Sequence, residues 1–211
     1  MPTDTHGARR RRAIINAAID LSTVDGLASL SLSRIADDVG LTKPGVAAHF
    51  ASKEVLQLAI VEAAAASYAA AVTEAHDSAA PGVERLRALV FAWLEYLDKV
   101  PYRGGCFFAA AGHDFSGRPG AVRTRIAHHT RRFLKTIADE SQLAARLGEL
   151  RADVQPAALV FSLHALALEA NLRRELLDDD DAFALARRAL DAILRDATVP
   201  AGRAQRKRAP R

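Results

Sequence analysis

The amino-acid sequence predicts an all-α protein of nine helices and no strands, with a small N-terminal three-helix unit followed by a larger helical domain. Three observations carry this reading. Half of the 211 residues are apolar, alanine and leucine supplying much of that, while three Tyr, one Trp and few β-branched runs argue against a sheet. Apolar residues recur every three or four positions from Ile14 to Leu194, the period of helices with a buried face. Glycine and proline punctuate these runs at Gly26, Gly40, Pro81-Gly82, Gly148 and Pro156, where helices stop and start. A chain of this length holds two cores.

The first helix is expected over residues 9–24, with Ile14, Ile15, Ala18, Ile19 and Leu21 inward and Asp25-Gly26 as its stop. Residues 33–53, SRIADDVGLTKPGVAAHFASK, then read as two short helices joined by a tight turn. Ser33 is the expected N-cap of the second helix, whose Ile35, Ala36 and Val39 face inward while Asp37 and Asp38 face out. Gly40 supplies the left-handed residue of a sharp exit, and Leu41 folds back on the helix it leaves. Thr42 is the next cap, and Pro44 sits in the first turn, where proline is tolerated. Val46 and Phe50 share one face; Lys43, Gly45, Ala47 and Ala48 occupy the other. Ser52 caps a fourth, alanine-rich helix from Lys53 to about His76, suited to connect two domains. Residues 83–99 repeat Leu86, Leu89, Val90, Trp93, Leu94 and Leu97; a short sixth helix lies near Gly105 to Gly112. The seventh runs from about Pro119 to Leu147, and Pro156 opens an eighth that reaches Leu177. Asp178 to Asp181 are the expected acidic start of the ninth, where negative charge meets the positive end of the helix dipole.

A second helix delivered by so tight a turn is the sequence form of a helix-turn-helix that reads double-stranded DNA, its first residues meeting base edges in the major groove. The residues expected to contact DNA are Arg11, Arg12, Ser33, Arg34, Thr42, Lys43, Pro44, Gly45, Ala47, His49 and Lys53. The run Ala47-Ala48-His49-Phe50-Ala51-Ser52-Lys53-Glu54, with Ile35-Ala36, Gly40-Leu41 and Gly45-Val46 in register before it, resembles the TetR family of transcriptional regulators over roughly residues 10–60. That family usually places an aromatic residue, most often Tyr, at the position of Ala47, where it touches the DNA backbone. The resemblance therefore implies one phosphate contact fewer here, with more weight on Lys43, His49 and Lys53. It further implies a homodimer, a palindromic operator and a small-molecule effector. The expected division is a disordered N-terminus over 1–8, a helix-turn-helix DNA-binding domain over 9–55, a helical ligand-binding and dimerisation domain over 56–199, and a basic disordered tail over 200–211.

Charge is concentrated at the ends. Formal net charge is +4, yet Arg9 to Arg12 and the tail residues Arg203, Arg206, Lys207, Arg208 and Arg211 leave residues 13–200 with 20 basic and 24 acidic groups. Such an arm in isolation reads equally well as a solvated face; directly before a DNA-reading domain it lies along phosphates or enters a minor groove. The acid-free tail adds non-specific affinity for nucleic acid. With no run of ~20 uncharged apolar residues and no apolar signal core, the expectation is a cytoplasmic, nucleoid-associated protein without a membrane partner. A single cysteine, Cys106, excludes an internal disulfide and fits a reducing compartment.

The eighth helix is apolar nearly all round, and the ninth carries a stripe at Phe183, Ala186, Leu190, Ile193 and Leu194. Burial within one domain is the plain alternative; the preferred reading pairs both helices with a second copy as a four-helix bundle through Leu159, Ser162, Leu163, Leu166, Phe183, Leu190, Ile193 and Leu194. The TetR resemblance points to the same pairing. Before these helices, Gly104-Gly105-Cys106-Phe107 resembles a subgroup of TetR-like C-terminal domains. An effector pocket is expected from Trp93, Tyr96, Cys106, Phe107, His128, His164 and Asn171, aromatic surface with isolated polar groups. Cys106 reads first as a small buried apolar residue, with a pocket-lining or oxidant-sensing thiol as the other reading.

His128 and His129 are adjacent on a helix and point about 100° apart, and no His pair has metal-ligand spacing, so neither a metal nor a cofactor is expected. Gly-x-Ser-x-Gly, P-loop and dinucleotide motifs are absent, and the chain reads as a non-enzyme. Its expected function is a homodimeric, ligand-responsive repressor. The alternative is a small helical enzyme or metal-dependent binding protein with an incidental helix-turn-helix-like hairpin, against which residues 33–54 stand.

Overall fold

The computed structural model describes residues 6–99 and 102–200, so the disorder expected of residues 1–5 and 201–211 lies outside the described residues. Within them the chain forms α1 (His6–Asp25), α2 (Leu32–Asp38), α3 (Lys43–Ala47), α4 (Lys53–Ser78), α5 (Val83–Lys99), α6 (Phe107–Phe115), α7 (Ala121–Arg146), α8 (Pro156–Leu177) and α9 (Ala182–Ala197). One isolated antiparallel bridge joins Leu150 and Thr198. Helix α1 starts three residues before the expected position and takes in His6, Gly7 and Ala8 of the expected disordered N-terminus: the first turn lies ahead of Arg9 to Arg12, whose straight side chains favour helix.

Two compact units form. One comprises residues 6–67 and 102–130, the other residues 68–99 and 131–200, with α4 and α7 contributing to both. The first unit is thus larger than the expected N-terminal domain. Its core brings Ile14, Ala18 and Leu21 of α1 together with Ile35 of α2, Val46 of α3, Leu56 and Ile60 of α4, and Phe107, Ala111 and Phe115 of α6. Each large aliphatic side chain in such a core contributes about 1.5–3 kcal/mol by leaving water.

Polar contacts hold α6 at both ends, against α1 before it and against the turn that follows α1 at its last turn. In its last turn, Asp114 Oδ2 accepts the backbone N–H of Ala28, just beyond the end of α1, at 2.7 Å. Before it, the N–H of Arg103 donates to Asp20 Oδ1 at 2.7 Å and its Nε to Oδ2 at 2.6 Å. Burial pushes the Asp20 carboxyl up, but the hydrogen bonds and charge of Arg103 outweigh it and hold its pKa below the ordinary value. The Gly104 N–H donates to Thr23 Oγ1 at 3.0 Å, and any Cβ at Gly104 would collide with the Thr23 carbonyl.

Alanine makes α4 long and apolar enough, by composition, to cross a membrane. Its Leu56, Ile60, Val61 and Ala64 are nevertheless buried in the first core, and Glu62 pairs with Arg125 and, at 3.3 Å, with His129 of α7.

In the second unit α8 packs along α9, burying Leu159, Leu163, Ala167 and Ala170 with Phe183, Ala186, Leu190 and Leu194, while α5 adds Leu86, Leu89 and Val90. Carboxylates satisfy the first amides of the α5 turn: Glu140 Oε2 accepts from Gly82 at 3.1 Å and Glu149 Oε2 from Val83 at 2.9 Å. Of the four aspartates expected at the start of α9, Asp181 stands there as the N-cap residue, whereas Asp178 closes α8. Asp178 adopts left-handed backbone (φ 52°) and ends α8, Asp179 pairs with Arg173 at 2.7 Å, and Asp181 precedes α9 without a side-chain cap bond. The connection is so short that the acids are consumed in closing one helix and turning to the next.

Candidate nucleic-acid interface

The N-cap of α2 is Ser31, not Ser33: Ser31 is extended (φ −106°, ψ 151°) and its Oγ accepts the Arg34 N–H at 3.1 Å. Half-buried Leu32 takes the first helical position, which moves the start two residues upstream and leaves Ser33 inside the helix, exposed. At the other end Gly40 is left-handed (φ 65°), and Leu41 N–H bonds the Ala36 carbonyl at 2.9 Å, closing the helix as a Schellman turn. Thr42 Oγ1 then accepts the Gly45 N–H at 3.2 Å, with Pro44 in the first turn, so α3 starts where the residue pattern requires. Val46 is fully buried and Phe50 enters the same core, which fixes the rotation of this five-residue helix about its axis.

That rotation leaves Thr42, Lys43 and Pro44 exposed, with Gly45, Ala47 and His49 half-buried. Among the described residues the Lys43 ammonium has no ion pair or hydrogen bond. Other residues expected on the DNA are engaged within the chain. Arg34 Nε donates to Asp25 at 3.1 Å, Lys53 Nζ to the Ala28 carbonyl at 2.6 Å, and the Arg11 guanidinium lies 5.0 Å from the centre of the Phe50 ring. Arg12 is exposed on α1. The methyl of Ala47 brings no hydrogen-bonding group to this surface.

The second unit gathers an aromatic cluster. The Trp93 and His164 rings stack with centroids 5.3 Å apart and 14° between planes, and Phe133 meets Trp93 at 4.7 Å and Tyr68 at 5.1 Å. Tyr96 meets Tyr68 edge-on at 5.7 Å. Burial against these rings lowers the His164 pKa, so its imidazole is neutral at pH 7. Asn171, two turns further along α8, is also buried.

Two family models match the chain: "Bacterial regulatory proteins, tetR family" over residues 14–60, and "Tetracyclin repressor-like, C-terminal domain" over residues 82–190. The chain belongs to the TetR family. It is a DNA-binding transcriptional regulator, of a family that is generally non-enzymatic. Its fold matches a TetR regulator from Chloroflexus aurantiacus at a TM-score of 0.81, with 23% identity over 91% of this chain and 97% of that one. A TetR-family regulator from Agrobacterium tumefaciens gives 0.79 at 20% identity, covering 92% and 100%. AibR, in complex with isovaleryl coenzyme A and operator DNA, gives 0.73 at 21% identity, covering 89% and 99%.

In this TetR-family chain the expected pocket residues divide between the two units. Trp93, Tyr96, His164 and Asn171 belong to the second; Cys106, Phe107 and His128 belong to the first. Cys106 is buried at the start of α6, and that burial raises its thiol pKa despite hydrogen bonds from the Ala109 and Phe108 amides, which makes it a poor nucleophile. Phe107 sits in the α1–α6 core, and His128 is exposed. Sequence reasoning missed Tyr68 and Phe133; the signal was one aromatic in the alanine run of α4 and one amid the arginines of α7.

The residues expected at a dimer interface need a similar correction. Leu159, Leu163, Phe183, Leu190 and Leu194 are buried within a single chain, while Ser162, Leu166 and Ile193 are half-buried. The apolar side chains that α8 and α9 leave bare are others: Phe161 (76% exposed), Leu172, Leu176 (69%), Leu177 and Leu185. Periodicity alone did not separate the stripe facing the chain's own core from the one facing outward, because α8 carries both.

Proposed function

We propose that this chain is a homodimeric repressor that binds a palindromic operator through α3 and releases it when a small molecule occupies the second unit. The observation that carries the reading is a preorganised α3: capped by Thr42, rotated by Val46 and presenting Lys43 at its first position. Lys43 reaches a guanine edge or a phosphate from there, Thr42, Pro44, Gly45 and His49 flank it, and Ser33, Arg34 and Lys53 bind backbone phosphates once their internal bonds exchange for DNA. Phe161, Leu172, Leu176 and Leu185 form the self-complementary face of the dimer, over the buried layer of Leu163 and Leu190.

The effector site is the aromatic cluster of Tyr68, Trp93, Tyr96, Phe133 and His164. Its rings suit an apolar ligand with one or two hydrogen-bonding groups, oriented by His164 and Asn171. AibR, seen with isovaleryl coenzyme A and operator DNA together, is a related fold that holds both kinds of partner. Control is a population shift: a ligand preferring the DNA-incompetent state lowers operator affinity by its differential binding. The protein has no catalytic role in this scheme and works in the cytoplasm at the nucleoid.

A gel shift with the DNA upstream of its own gene, backed by selection from a random duplex pool, tests the reading. A palindromic site should emerge, and Lys43→Ala should weaken it by about 1–3 kcal/mol while relaxing one base position. Absence of any selected duplex, or a Lys43→Ala protein with unchanged affinity and selectivity, defeats it.

A further inference from the structure

Arg34, Lys53 and Arg11, all expected on the DNA, have partners within the chain, and that of Arg34 differs in kind. Lys53 bonds the Ala28 carbonyl and Arg11 lies against the Phe50 ring, so either can leave for a phosphate without stranding a charge. Arg34, in the first turn of α2, instead donates its Nε to the Asp25 carboxylate at 3.1 Å. Both side chains are open to solvent, 45% and 34% exposed, so a phosphate can reach the guanidinium and compete for it. Asp25 is the last residue of α1, and a helix end of that polarity disfavours a carboxylate, so its charge does not serve the helix it closes. The turn behind it is fixed: Gly26 is left-handed (φ 82°), the Ser29 hydroxyl bonds the Gly26 carbonyl at 3.0 Å, and the Ala28 N–H bonds Asp114 at 2.7 Å. The acids Asp20 and Asp38 of the same unit face Arg103 instead, at 2.6 Å and 3.7 Å.

Moving Arg34 from Asp25 to a phosphate leaves the Asp25 carboxylate unpaired beside a polyanion, and like charge opposes the exchange. Where α3 engages the bases, the duplex is held close and in one register, and those contacts offset the opposition. On a sequence that α3 does not read, they are missing. We propose that Asp25 sets specificity: it withholds the Arg34 guanidinium from the phosphates of unread DNA and yields it on the duplex that α3 reads. Asp25 touches no DNA in this scheme and acts through Arg34, as a positioning residue. The proposal rests on the reading that α3 binds DNA and goes beyond it, because a regulator among many competing sites depends on its ratio of specific to non-specific affinity rather than on affinity alone. An internal carboxylate that weakens the unwanted complex more than the wanted one raises that ratio.

The experiment measures affinity across a salt series for two duplexes, the one that the wild-type protein selects from a random pool and an unselected one of equal length. The proteins are wild type, Asp25→Asn, Arg34→Ala, the double variant Asp25→Asn/Arg34→Ala, and Asp37→Asn. Because an exposed ion pair is weak, Asp25→Asn should bind the unselected duplex about two- to fivefold tighter per reading head. Its slope of log K against log salt should steepen by up to about 0.9 as one more phosphate is neutralised. Affinity for the selected duplex should rise less, so the ratio of the two falls. Asp37→Asn removes an equal charge from α2 without freeing a cation, since Asp37 is exposed and has no ion pair among the described residues, and it should keep the wild-type slope. In the Arg34→Ala background the gain from Asp25→Asn should shrink to that of Asp37→Asn. An unchanged melting temperature establishes that Asp25→Asn is folded, and Asp25→Ala repeats the comparison if it is not. A gain for Asp25→Asn no larger than that of Asp37→Asn, or one that persists undiminished without Arg34, makes Asp25 a bulk charge and overturns the proposal while leaving DNA reading by α3 intact; a wild-type protein that selects no duplex overturns both.

Discussion

Ser31 and Ser33 lie two residues apart, and the structure gives them different jobs that two measurements separate. Ser31 Oγ accepts the Arg34 N–H at 3.1 Å and satisfies one of the donors that the start of α2 leaves open. Replacing a serine cap by alanine costs about 1 kcal/mol. In a chain of this size that is a fall of roughly 2–4 °C in melting temperature. Ser33, inside α2 and exposed, makes no such bond, so Ser33→Ala should leave the melting temperature unchanged. If the proposed interface holds, its hydroxyl binds a backbone phosphate, and loss of one such neutral hydrogen bond is worth about 1 kcal/mol, or about fivefold in affinity per reading head. Ser31→Asp should restore stability, since a carboxylate caps as well and suits the positive helix end. Thermal denaturation by circular dichroism and anisotropy with the selected duplex are the two assays. Equal melting temperatures for Ser31→Ala and wild type, or a loss on Ser33→Ala matching that of Ser31→Ala, would refute the assignment.

Three further outcomes are expected. Phe161→Arg combined with Leu176→Arg should yield a folded monomer by light scattering, because both side chains are exposed, whereas Leu163→Arg should fail to fold, being fully buried; a dimer in the first case removes the outer face as the interface. His164 has a folded-state pKa below its ordinary value, so its contribution to stability is complete above about pH 6.5 and is lost as pH falls toward the lower folded pKa. His164→Phe should flatten the fall in melting temperature across that window, and an unchanged pH profile would contradict the buried neutral imidazole. Asp20 is likewise depressed, by Arg103, so stability is present above about pH 4 and lost on acidification below it. Asp20→Asn should cost about 1 kcal/mol at neutral pH, the partly exposed Arg103 limiting the loss, with the difference from wild type shrinking in acid.

The helix order and most boundaries were legible in the sequence because glycine, proline and cap residues leave local marks. Thr42, Pro44 and Gly40 act within four residues of themselves, and α3 appears where they place it. Ser33 misled because it too precedes an apolar run; only the half-burial of Leu32 decides between it and Ser31. Asp178 misled for a related reason, since the sign of a charge does not reveal which of two abutting helix ends it serves. Long-range pairings left no local mark at all. That Arg34 meets Asp25, Lys53 the Ala28 carbonyl and Arg11 the Phe50 ring depends on how α1 crosses its neighbours. The aromatic cluster was half legible: Trp93 and His164 stood out on apolar helices, but Phe133 comes from the charged α7.

The two-ended attachment of α6 bears on how this regulator can be cut apart. Matched by sequence, the DNA-reading module ends at residue 60. Physically it does not, since Phe107, Ala111 and Phe115 fill the same core as Ile14, Ala18 and Leu21, and Asp114 and Arg103 satisfy groups at the far end of α1. A fragment ending after α4 would expose that apolar surface and strand the Ala28 amide, so it should aggregate rather than act as a portable reading head. Evolution is constrained in the same way: a new C-terminal half grafted onto these first helices has to bring an α6 that fits them, including a glycine where Gly104 meets the Thr23 carbonyl.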